Sequence, residues 1–275
     1  MLFRITGNNR SVEIENSDFY TIHGADSMKP VNFLAFDIET IPMQWDEFSE
    51  SQQEYILRRQ ETDEEKEKRK SEMALTPMTA QCVCIGLQLM APDPDSEGGY
   101  KMIKRAALSV DNSFSDDDQE TVILPTGDEC FLYNEKKMFE AFWKILAKYD
   151  PCHLISFNGR NFDVPFVMLR SALLGMRPGK NLMQGTKFNY MLHTDLIDEL
   201  SFFSPSYTYG ATKKFNFDFY TRAFGIPSPK GGGIDGSKVA EFFAAGKIND
   251  ISEYCLRDVK ATWELFCKWR DLLKF

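Results

Sequence analysis

Asp37 and Glu39 close an apolar run, Phe33-Leu-Ala-Phe-Asp-Ile-Glu, and that position gives them chemical interest. The pattern Asp-x-Asp/Glu also begins at Asp63, Asp93, Asp95, Asp116 and Asp118, so the tripeptide alone says little. Only the first copy ends a segment that reads as a buried strand. Residues two apart on a strand face the same way, so both carboxylates point into one space. There they repel and lose hydration unless something positive lies between them, and a hard divalent cation with oxygen ligands answers both difficulties. A pair of solvated acids at a strand end is the plainer alternative for this motif on its own.

A second group lies near the C-terminal end of the chain. Ile251, Cys255, Val259, Thr262 and Phe266 are spaced as one stripe of a helix that packs on a sheet. Tyr254 and Asp258 fall one residue behind that stripe and four apart, so they stack on its flank. Of the ten tyrosines, only Tyr254 has an aspartate four residues on. A carboxylate there can complete a metal site while the phenol reaches an adjacent water; an ordinary core-margin tyrosine and surface aspartate is the competing account. Asp163 is the third piece, placed where a strand turns into a helix and a sheet opens a crevice. A helix cap would also explain it, and Asn158 and Asn161 read by default as turn residues.

The elements that must position these residues follow from pattern. Strands are expected at 33–39, 81–90, 100–110, 120–124, 153–157 and 190–196. Helices are expected at 134–148, after Asp163 with Pro165 in the first turn, and at about 248–272. The stretch 44–72 is charged and free of Gly and Pro, and reads as an exposed helical insertion. Strands lead and helices follow, so the class is α/β. At 275 residues with 43% hydrophobic content, the chain can bury one large core. The six cysteines form no C-x-x-C pair, and reduced, buried thiols are expected. Net charge is −9, but residues 150–275 hold 16 Lys+Arg against 13 Asp+Glu, so acidity argues only weakly against a polyanionic partner. No apolar run is long enough to cross a bilayer and the start lacks the plan of a signal peptide; no membrane partner and a cytoplasmic location are expected.

Phe36-Asp-Ile-Glu-Thr-Ile-Pro, Asn158-Gly-Arg-Asn-Phe-Asp-Val-Pro and Tyr254-Cys-Leu-Arg-Asp resemble, in order and spacing, the three motifs of the DEDD (DnaQ-like) exonuclease superfamily. The tyrosine places the likeness in the DEDDy branch, among stand-alone exonucleases related to the proofreading domain of family B DNA polymerases. The resemblance runs from about Val31 and includes Gly225-Ile-Pro-Ser-Pro-Lys-Gly and Asp235-Gly-Ser-Lys-Val-Ala. It implies an RNase H-like mixed sheet flanked by helices at 31–275, with 1–30 as an extension. It implies 3′-to-5′ hydrolysis of a nucleic acid with a free 3′ end, single-stranded DNA above all, with two divalent cations, Mg²⁺ or Mn²⁺. By carry-over Asp37 bridges both ions, Glu39 and Asp258 hold the nucleophile-side ion, and Asp163 supports the second. Tyr254 orients the attacking water, since an ordinary phenol is a poor base at neutral pH. Thr40 and Ile41 would line the terminal nucleotide, Asn158 would touch substrate, and Phe162 would pack beneath the site.

Rival readings are weaker. Gly231 to Lys238 is spaced like a phosphate loop, but its lysine and serine stand in the wrong order and a helix precedes it. A flexible connection fits better, with Lys230 and Lys238 as phosphate contacts and Asp235 or Ser237 as caps. His23, His153 and His193 have no partner motif for hydrolytic or zinc chemistry, and His193 and Asp195 read as structural hydrogen-bonding groups. A non-catalytic nucleic-acid-binding relative, or a polymerase accessory docking through 44–72, remains the alternative to an enzyme.

Overall fold

Most of these apolar runs pair into one seven-stranded sheet in the computed structural model, which describes residues 11–13, 21–24, 27–204, 209–228 and 233–274. Ahead of that sheet, β1 (Ser11–Glu13), β2 (Thr21–Gly24) and β3 (Ser27–Pro30) form a small antiparallel sheet of their own. The main sheet holds β4 (Asn32–Pro42), β5 (Ala80–Pro92), β6 (Tyr100–Val110), β7 (Glu120–Ile123), β8 (Glu129–Tyr133), β9 (Cys152–Ser156) and β10 (His193–Asp195). Its order is β10-β9-β4-β5-β6-β8-β7. The β4–β5–β6 meander is antiparallel, while β9 and β10 run parallel to β4. This is the mixed, RNase H-like α/β architecture that the motifs implied.

Among the described residues the helices are α1 (Glu50–Leu57), α2 (Asp63–Ser71), α3 (Glu135–Lys148), α4 (Asp163–Leu173), α5 (Leu196–Leu200), α6 (Phe217–Ala223), α7 (Val239–Ala244) and α8 (Ile248–Leu273). Strand alternation explains their placement. Leu34, Phe36 and Ile38 of β4 share one buried cluster with Met138, Phe139 and Phe142 of α3 and Val164, Phe166 and Val167 of α4. Phe33 and Ala35, on the other face, pack with Val259, Leu265 and Phe266 of α8. The α8 stripe Ile251, Cys255, Val259, Thr262 and Phe266 is fully buried as its spacing predicts. Each large apolar member contributes roughly 1.5–3 kcal/mol through burial.

Three details differ from expectation. Residues 44–72 are helical and exposed, but in two pieces: a turn follows α1, and Thr62 restarts the chain as the cap of α2 through a reciprocal bond pattern with Glu65. The strand expected at 190–196 is only three residues long, because Leu192 adopts φ 57 immediately before it. Strand β8 was not anticipated; it pairs parallel with β6, and its five residues alternate only half-buried and buried positions. All six cysteines are free thiols, five of them buried. No helix among the described residues is long and apolar enough to cross a membrane.

Candidate active site

The site begins where two parallel strands part. Pairing of β4 with β9 stops at Ala35 opposite Ile155, and β9 ends at Ser156, so the Phe36–Glu39 stretch of β4 has an uncovered edge. Such a gap at strand C-terminal ends is where open α/β sheets bind ligands. Asp37 and Glu39 face the α8 side of β4. Opposite Asp37 in the neighbouring strand stands Gly86, where an added Cβ would lie 2.8 Å from Cys255 Sγ and 2.9 Å from Val259 Cγ2. That bare position lets α8 lie directly on the sheet and brings Tyr254 and Asp258 to the two strand carboxylates.

From the other side, a tight turn delivers α4. Asn158 takes φ 65, and its N–H donates to Asp195 Oδ1 at 2.7 Å, while the Arg160 N–H donates to Asp195 Oδ2 at 2.9 Å. Asp195 thus shapes the turn, and burial lifts its pKa to about 6 despite those bonds. A Cβ on Gly159 would sit 2.2 Å from Ser156 Oγ, so only glycine fits there. Asp163 follows as the first residue of α4. Its carboxylate does not cap that helix; Oδ1 accepts the Ile38 N–H at 3.1 Å, reaching across to the open edge of β4. The cap explanation for Asp163 therefore gives way to an inward-facing acid, 3% exposed.

Asp37, Glu39, Asp163, Tyr254 and Asp258 all line one cavity of about 610 Å³. Asn158, Asn161 and Phe162 form part of its wall, and Phe162 also stacks on Phe166 with ring centroids 5.7 Å apart. Thr40 and Ile41 lie outside it. A β-bulge separates Glu39 from Thr40, whose hydroxyl donates to the Ala74 carbonyl at 2.7 Å, and Ile41 faces a second cavity. Reading the sequence did not identify Leu75, Phe157, Asn216, Phe217 and Asp218 as further lining residues. Asn216 signals only a helix cap, and its side chain does accept the Phe219 N–H. His193 and His153 form buried hydrogen bonds with Ser156 and Thr194 behind the turn. In the 231–238 loop, Asp235 caps a single helical turn and Lys238 donates to the Gly233 carbonyl; Lys230 lies outside the described residues.

The electrostatics of this cavity are one-sided. Among the described residues no lysine or arginine lines it. Burial first, then repulsion from Asp163, Asp258 and Glu39, holds the Asp37 carboxyl far above its ordinary range. Glu39 is raised in the same way by burial and then Asp258. Asp163 is pushed up to about 7, again by burial first. Burial and the surrounding carboxylates also push the Tyr254 phenol upward, and it hydrogen-bonds Asp258, so the phenol stays protonated. Acids forced together in this way fit multivalent cations, which convert their mutual repulsion into coordination. Oxygen ligands suit hard ions. Ligand atoms of Asp37, Glu39 and Cys255 lie within 4.8 Å of one another, but the thiol is soft, held protonated by burial, and directed at the Asp37 carbonyl.

Comparison with known proteins adds three findings. A family model described as "Predicted 3'-5' exonuclease related to the exonuclease domain of PolB" matches residues 101–273, a span that includes Asp163, Tyr254 and Asp258 and begins beyond Asp37 and Glu39. A DNA polymerase of Pyrococcus glycovorans is 27% identical over 147 residues, and one of Desulfurococcus sp. (strain Tok) is 30% identical over 146; each match covers 48% of this chain and 18% of the polymerase. The chain thus spans about a fifth of the length of these relatives. The family B DNA polymerase of Pyrobaculum calidifontis superposes with a TM-score of 0.50 at 17% identity, over 91% of this chain and 26% of the polymerase, a likeness of fold.

Proposed function

The chain belongs to the family of predicted 3′-5′ exonucleases related to the exonuclease domain of PolB, and from that premise we propose that it is an active two-metal 3′-to-5′ exonuclease acting on single-stranded nucleic acid, DNA above all. The observation that carries this reading is the convergence of four carboxylates and Tyr254 on one cavity without a lysine or arginine in its lining. A relative that had lost catalysis would have no need of that arrangement, in which burial and mutual repulsion oppose ionisation.

In the mechanism that fits, Asp37, Glu39, Asp163 and Asp258 would hold two divalent cations, Mg²⁺ or Mn²⁺. Bound there, such ions neutralise charge building on a phosphodiester and acidify water at neutral pH. The chain's own groups do the remaining work. Tyr254, its phenol pushed upward by burial and by the carboxylates around it, would orient the attacking water by hydrogen bonding. The turn at Asn158 and Asn161 presents amides to the sugar-phosphate, while Phe162 and Phe217 supply apolar walls for the terminal nucleotide. Thr40 and Ile41 contribute through the bulge that ends the Asp37–Glu39 segment and not by direct contact. We place the nuclease unit at 31–275.

The test is digestion of end-labelled oligonucleotides with Mg²⁺ or Mn²⁺. Mononucleotides should be released from the 3′ end, and EDTA, Asp37→Ala or Asp258→Ala should each reduce the rate by more than about a hundredfold, exceeding the ~10–100-fold typical of residues that only support metal ligands. Equal cleavage of a circular single strand would overturn the exonuclease assignment, and full activity in EDTA would sink the metal mechanism.

A further inference from the structure

The acidic cavity opens beside a segment of different character. Asn216, Phe217 and Asp218 line the cavity, and the residues immediately flanking them, Phe215 and Phe219, turn outward with 40% and 59% exposure. Their rings lie 5.0 Å apart, and the Lys213 ammonium stands 4.8 Å from the Phe215 ring centre. The inward members of the same aromatic run are packed: Phe217 and Tyr220 hold Phe157 at 4.9 and 5.5 Å. Among the described residues, every exposed phenylalanine, Phe188, Phe202, Phe215 and Phe219, falls between 188 and 219. Phe202 and its neighbour Phe203 also carry φ 50 and 56, a conformation unfavourable for bulky side chains. Phe188, like Phe215, has a lysine near its ring, Lys187 at 6.0 Å.

We propose that Phe215 and Phe219, with Lys213, form a stacking platform for unpaired bases of the strand whose 3′ end occupies the cavity. The proposal rests on the nuclease reading of that cavity and extends it along the substrate. The helix start itself, with Phe215 and Phe219 flanking the Asn216 cap as N′ and N3 of α6, accounts for the contact between the two rings. It does not account for their faces remaining in water, where each forgoes the stabilisation of burial. Bases offer aromatic faces regardless of sequence and phosphates offer charge to the adjacent ammonium, the combination by which single strands are held. Continuity with the cavity through Asn216–Asp218 selects nucleic acid over a protein partner.

The experiment measures fluorescence anisotropy of a labelled oligothymidylate 12-mer in EDTA, then metal-dependent cleavage of that 12-mer and of a dinucleotide, which offers at most one base beyond the terminal nucleotide. Phe219→Ala should weaken 12-mer binding roughly tenfold, as expected for loss of one base stack, and Phe219→Tyr should restore it. An abasic 12-mer should bind wild type and Phe219→Ala alike. In cleavage, the ratio of kcat/KM for the 12-mer to that for the dinucleotide should fall by about the same factor, mainly through KM. Unchanged binding in Phe219→Ala, or an equal loss with the abasic strand, overturns the platform. Ring-dependent binding without any cleavage by wild type would instead overturn the nuclease reading and leave the platform standing. Cleavage of both substrates with no Phe219 dependence would do the reverse.

Discussion

Two acidic groups lie close to the end of β4, a single buried glutamate and a cluster of four carboxylates, and they are solved in opposite ways. Glu135, at the start of α3, is gripped by Arg170 of α4 through Nε at 2.8 Å and Nη2 at 2.7 Å, and also accepts the Cys82 N–H at 2.8 Å. Arg170 spends a further nitrogen on the Pro77 carbonyl at 3.3 Å. Nearby, Asp37, Glu39, Asp163 and Asp258 share a cavity whose described lining holds no basic side chain. The first set is closed electrostatically and does a structural job, joining α3, α4 and β5. The second gathers four acids with no lysine or arginine in its described lining, the arrangement that the proposed cations would complete. The two clusters therefore respond in opposite directions to loss of charge, and that contrast can be tested.

The largest effect is expected from Arg170→Met. Removing one partner leaves Glu135 buried and uncompensated, which costs about 3–5 kcal/mol for pairs of this kind. The urea midpoint should fall accordingly with the slope unchanged, while the cleavage rate per folded molecule stays near wild type, because Arg170 is not in the cavity lining. A stability change below about 1 kcal/mol would show that Glu135 escapes to water at no great penalty, and the contrast between the clusters would fail.

Asp163→Asn should act with the opposite sign. The carboxyl is raised from 3.8 to about 7, so the folded chain keeps a proton that the unfolded chain has released. Its contribution is therefore fully favourable below about 4, declines as pH rises through the folded value, and is gone above about 7. Asparagine does not titrate, and its oxygen can still accept the Ile38 N–H. In EDTA the variant should melt above wild type at pH 8, by an amount on the order of 1–3 kcal/mol, with the gain fading by pH 4.5. His153, lowered to about 3 by burial, and His193, lowered likewise, titrate identically in both proteins and cancel in the difference. Saturating Mn²⁺ should reverse the order at pH 8, since only wild type keeps the full ligand set. A variant less stable than wild type at both pH values without metal would contradict the account of this cavity.

The acidic cavity was far more legible in the sequence than the Glu135–Arg170 pair, for a physical reason. Asp37 and Glu39 follow from strand alternation, and Tyr254 and Asp258 from the helical stripe they flank; both are local periodicities visible in a single chain. Glu135 and Arg170 are 35 residues apart, and each reads as an ordinary helix charge until tertiary packing removes water from both. The same holds for the Phe217 wall, which meets Phe157 only because α6 folds back on the end of β9. Gly86 looked like any strand glycine, although the approach of α8 depends on it. Asp163 was ambiguous from sequence because a carboxylate at a helix start serves as readily as a cap; only the bond from Ile38 decides where it points.

The smallest effect concerns the one phenol in the acidic cluster. Burial and the neighbouring carboxylates raise the Tyr254 phenol above its ordinary value, and it hydrogen-bonds Asp258, so at neutral pH it is a donor. Tyr254→Phe removes one orienting hydrogen bond and leaves the carboxylates in place. The expected loss is about tenfold in kcat, equivalent to about 1.4 kcal/mol of barrier, with KM nearly unchanged and the pH–rate profile keeping its shape. A general base in the same position would behave otherwise, since its removal lowers rates by roughly 10²–10⁴-fold and erases the ascending limb that its ionisation controls. Measuring kcat for both proteins from pH 6 to 10 distinguishes the two roles. A thousandfold loss accompanied by a missing limb would mean that the phenol ionises despite the acids around it, and that a positive charge already sits in the cavity when water attacks.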